Sequence, residues 1–76
     1  MSRPLNTTYS ISDIGPEQVP GPDPFVICVG SMVVIQNRTN GQSFYMTYKT
    51  ERRAEGACQR VRTTMSGARV VQRRPT

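Results

Sequence analysis

Arginine supplies nine of the ten cations in this chain, and four of them, Arg60, Arg62, Arg69 and Arg73, lie in a C-terminal stretch of alternating character. Its planar fork of donors suits arginine to bidentate contacts with phosphate or carboxylate. Read as strands, Gln59 to Met65 and Ala68 to Arg74 form a hairpin about Ser66-Gly67. One face then carries Val61, Thr63 and Met65 opposite Gln72, Val70 and Ala68. The other sets Arg60 opposite Arg73, Arg62 opposite Val71 and Thr64 opposite Arg69. Like charges across a strand pair oppose folding, and an anionic partner would relieve them. The partner chemistry is an acidic protein surface or nucleic acid. The plain alternative is a solvated face that guards a sheet edge.

Other chemistry is poorly provided for. The chain has no histidine, which removes the commonest general base and metal ligand. Cys28 and Cys58 are far apart, and the acids Asp13, Glu17, Asp23, Glu51 and Glu55 make no ligand spacing. The six glycines are dispersed and form no phosphate loop. No enzyme activity, cofactor or metal site is expected. Nor does any RNA-recognition, zinc-knuckle or helix-turn-helix pattern occur.

Positioning the arginines falls to the stretch from Phe25 to Lys49, which holds both phenylalanines and two of the three tyrosines. Asn40-Gly41 suits a type I′ hairpin turn, because that turn needs positive φ at both central residues. The turn so placed sets Ile35 opposite Met46, Val33 opposite Tyr48 and Asn37 opposite Phe44, six side chains on one buried face. A longer loop from Asn37 to Gly41 would shift the pairing. On the expected register Tyr45 alone among these aromatics falls on the mixed face. That weakens the nucleic-acid reading, since bases stack on exposed rings. Ahead of this hairpin, Phe25 to Val29 is apolar at every position, as in a central strand covered on both sides or one whose second face meets a partner. Gly30-Ser31 after it is either a II′ turn or a bulge.

Residues 1–24 read as an arm. Five prolines rule out a helix interior and interrupt strand pairing. Tyr9, Ile11 and Ile14 are its isolated apolar groups, suited to docking as pegs, and Thr8 to Asp13 also has the alternation to add as a strand. Residues 50–57 carry a cap at Thr50 and a stop at Gly56, enough for a single helical turn or a charged loop.

Seventy-six residues make one domain at most, and so short a chain buries only about 60% of its unfolded surface. Without an apolar run of about 18 residues no membrane span is expected. The leading residues lack the apolar centre of a secretion signal. The expected location is therefore the cytoplasm, or a virion for a viral protein, with both thiols reduced. Net charge is +5, but the arm is acidic and residues 49–76 hold most of the excess.

The fold expected is all-β: a small meander or partly open barrel of four to five short strands over 25–74, an extended arm over 1–24 and a tail at 75–76. The expected function is a non-enzymatic structural or accessory subunit of a larger assembly, for example a virion or capsid-associated protein. Its arm would strap neighbouring subunits. The alternatives are a small basic β-barrel that binds nucleic acid through Arg60, Arg62, Arg69 and Arg73, and a regulatory inhibitor that adds a strand to its target.

Overall fold

A computed structural model describes residues 7–73. It is built mostly of one open antiparallel sheet: β1 (Thr8–Ile11), β2 (Phe25–Val29), β3 (Met32–Asn37), β4 (Ser43–Tyr45), β5 (Thr47–Tyr48) and β6 (Ala68–Gln72). A single α-helix, α1 (Glu51–Arg62), lies between β5 and β6 in the chain. The β-rich expectation holds in general, with six strands, one helix and no closed barrel.

β2 is central, which explains why it is apolar throughout. β6 pairs with its full length on one side. On the other side β3 pairs with Cys28 and Val29, and β5 pairs with Phe25 and Val26. The β2–β3 hairpin therefore forks, and the β4–β5 segment fills the fork. Met46 sits at the junction, donating to the Val34 carbonyl at 3.2 Å and accepting from the Ile27 amide at 3.2 Å. Gly30 and Ser31 form the turn of that hairpin. Positive φ falls at Gly30 alone (64°), as the first position of a II′ turn requires.

Both faces of β2 are covered. Ile27, Val34 and Met46 pack under Ala57, Cys58 and Val61 of α1. Val26, Cys28 and Val33 pack on the opposite face against Val19, with Ile14 and Val71 beside them. Ile27, Val26 and Val34 are fully buried, and each such side chain contributes about 1.5–3 kcal/mol of transfer free energy. The second cover comes from the expected arm. β1 pairs with β3, as the alternation after Thr8 allows. The chain then continues through Ser12 and Ile14, which bond to Val33, into a 3₁₀ turn at Pro16–Gln18.

Two expectations are corrected. Residues 59–65 are not a strand, so the second hairpin and its Arg60–Arg73 pairing do not exist: α1 runs through to Arg62. Its buried residues Ala54, Ala57, Cys58 and Val61 follow the i, i+3, i+4, i+7 spacing of one helical face. Their small size lets the helix sit close to the sheet. Thr50 caps it by accepting from the Arg53 amide at 3.3 Å, and Gly56 lies inside the helix instead of ending it.

The first hairpin also has a different register: Ile35 pairs with Tyr45, Gln36 with Phe44 and Asn37 with Ser43. The cause is the loop. Gly41 alone takes positive φ (87°) while Asn40 does not, and the Arg38 amide donates to the Gln42 carbonyl at 2.8 Å. That is a three-residue loop with an αL glycine, the longer alternative to type I′. The one-residue shift turns Phe44 away from Ile35 and onto the face of Val34 and Gln36. Phe44 is consequently 46% exposed.

A basic cleft beside an uncovered half-sheet

Helix α1 packs on β6, β2 and β5 and reaches Val34 of β3, while Ile11 of β1 and Phe44 of β4, farther out on that sheet face, stay exposed. A cleft of about 230 Å³ opens along the flank of the helix, lined by Thr7, Tyr9, Gln36, Met46, Tyr48, Ala57 and Arg60. Strand register places Tyr9, Gln36 and Phe44 side by side across β1, β3 and β4. Among the described residues, neither phenol, nor the Gln36 amide, nor the Arg60 guanidinium has a hydrogen-bond partner. Burial pushes the Tyr48 phenol up. The Arg60 charge opposes this shift and Tyr9 adds to it. Beyond the cleft, the Arg38 guanidinium lies 5.6 Å from the Phe44 ring centroid, within range for a cation–π contact.

The four arginines singled out from sequence are not brought together. Arg60 alone lines the cleft. Arg62 donates through Nε to the Ala68 carbonyl at 2.8 Å, and Arg69 through Nη2 to the Gly30 carbonyl at 2.9 Å. Arg73 is buried and holds the arm segment. Its Nε donates to the Asp23 carbonyl at 2.9 Å, Nη1 to Pro16 at 3.2 Å and to Val19, and Nη2 to Gly21 at 2.9 Å and again to Asp23. All five guanidinium donors are thereby used. No donor of Arg73 is left for an outside anion.

The arm's pegs divide similarly. Tyr9 packs against the helix-side core and Ile14 against the opposite one, so both dock within the chain. Ile11 stays 51% exposed. It stands on β1, a sheet edge. The Ser12 amide donates inward to the Val33 carbonyl, and alternation along the strand then points the backbone groups of Tyr9 and Ile11 outward. The opposite edge, β6, has its Ala68 carbonyl engaged by Arg62. Sequence reasoning assigned Phe44 and Tyr48 to the buried face because of the expected hairpin register, and the observed pairings place them beside Gln36 and Phe25 instead.

Cys28 and Cys58 are free and buried on opposite faces of the sheet. Burial raises both thiols, which makes them poor nucleophiles. No cluster of metal-ligating side chains occurs among the described residues, and no described helix is long and apolar enough to cross a membrane. No family model matches this chain, and searches of curated proteins and of solved structures give no match.

Proposed function

We propose that the protein is a non-enzymatic accessory subunit of a larger assembly, docking through the open β1–β3–β4 half of its sheet. The observation that carries this reading is the bare β1 edge. Among the described residues the outward backbone groups of Tyr9 and Ile11 have no partner, and the exposed side chains of Ile11 and Met32 lie beside them. Edge strands of soluble domains are ordinarily blunted by charge, proline or a covering element; Thr8–Ile11 carries no charge or proline, and no described element covers its outer edge. An added strand would pair with this edge and cover both side chains. Strapping by residues 8–24 is not part of the proposal, since that segment is engaged within its own domain.

Ile11→Pro tests it. The substitution deletes an outward amide and leaves the inward bonds of Ser10 and Ser12 in place. Expressed in its source cells, the native chain should fractionate with a larger particle. The Ile11→Pro chain should fractionate as a free 8.5 kDa protein with an unchanged melting temperature. A native chain that runs as a free monomer would sink the proposal.

A further inference from the structure

The face of the open half-sheet differs from its edge. From Pro24 to Thr50 the chain carries no acidic residue, nor does β1. An anionic chain laid across β1, β3 and β4 would meet no carboxylate from these strands. It would meet Arg38 at one end and Arg60 at the other, and between them the row Tyr9, Gln36, Phe44. Strands about 4.8 Å apart put the two rings of that row roughly 10 Å from each other, separate enough for two stacking positions. Tyr48, in the cleft beside Tyr9, adds a third ring.

Taking the open half-sheet as the docking surface, we infer that its face binds single-stranded nucleic acid. One base stacks on Phe44, where Arg38 already lies over the ring. A second enters the cleft against Tyr9 and Tyr48, whose phenols, with the Gln36 amide, have no partner among the described residues and would bond its edge. Arg38 and Arg60 take the adjoining phosphates. An acidic peptide would satisfy the arginines but leave the rings without a use, and a duplex keeps its bases out of reach. Exposed rings flanked by cations are the combination by which proteins hold single strands with little sequence preference.

The test is fluorescence anisotropy with labelled oligothymidine and oligouridine of about 12 nucleotides, against duplex DNA and polyglutamate, over a salt series. Single strands should bind at least about tenfold more tightly than duplex or polyglutamate. Phe44→Ala should weaken single-strand binding about 5- to 100-fold, and melting will show that the variant is folded. Arg60→Gln should reduce the log–log salt slope by about 0.7. Arg52→Gln, on the far side of the helix from the sheet, should have a smaller effect on affinity than Phe44→Ala. Equal binding of duplex or polyglutamate, or an unchanged affinity for Phe44→Ala, overturns the inference. Release of the Ile11→Pro chain from its particle is read separately. Failure to bind single strands would leave the docking proposal standing, and failure to join a particle would leave the nucleic-acid site standing.

Discussion

The two halves of the sheet are made from similar strands and are treated oppositely by the rest of the chain. Around β2 and β6, one face lies under α1 and the other under the Ile14–Pro24 segment. Around β1, β3 and β4, the helix covers only the inner positions, and the large side chains of Ile11, Phe44 and Tyr45 remain exposed. The two arginines nearest these halves show the same contrast. Arg73 spends every donor on backbone carbonyls of its own chain, while Arg60 has no described partner. Residue type therefore says little about role here, and the wall a side chain faces says most. A guanidinium enclosed by carbonyls is part of the fold, and one standing beside aromatic rings has no such role among the described residues.

The sharpest way to break this contrast is to delete the two arginines in turn. Arg73→Ala leaves the carbonyls of Pro16, Val19, Gly21 and Asp23 without their shared donor. It should cost about 3–5 kcal/mol, by analogy with stripping a buried charged network of one member. Arg60→Ala should stay within about 0.5 kcal/mol of the native chain. Urea midpoints read both, and equal losses would abolish the distinction.

Next come apolar truncations. Ile27→Ala, under the helix, should cost about 2–5 kcal/mol, close to the whole stability of so small a domain. Phe44→Ala should cost less than about 1 kcal/mol, because almost half of that side chain is already in water. Thermal melts of the two variants check the pair, and a large loss for Phe44→Ala would move the open half into the core.

The smallest effect has the opposite sign. Gly56 lies inside α1, and a Cβ there would meet nothing within 4 Å. Gly56→Ala should therefore stabilise the protein by about 0.5–1 kcal/mol through the usual helix preference. A higher melting temperature is the expected reading. If that variant also loses single-strand affinity, the binding surface extends from the sheet onto the helix flank.

How much of this was legible in the sequence follows from where the physics is local. The apolar run Phe25 to Val29 allowed a doubly covered strand, Thr50 a helix cap and Thr8 onward an added strand, each as one of two local options. What failed depended on choices between near-equal local options. Asn40-Gly41 fits two loop types whose registers differ by one residue, and tertiary packing around Met46 decides between them. The segment from Glu51 to Arg62 has only small apolar residues, so its helical period was faint beside the chance alternation of Val61, Thr63 and Met65. No local signal marks Arg73 as a buried clamp, because its partners are backbone carbonyls in a distant segment.

That clamp also sets an order of events during folding. Arg73 bonds to residues that precede it by 50 to 57 positions, and contacts of such span form slowly because a long loop must close first. The chain is synthesised from the other end. The Pro16–Asp23 segment therefore emerges well before the side chain that locks it. Until β6 arrives beside β2, the Val26, Cys28 and Val33 face has a lid without a latch. The nascent protein must spend that interval with its central strand open to other chains.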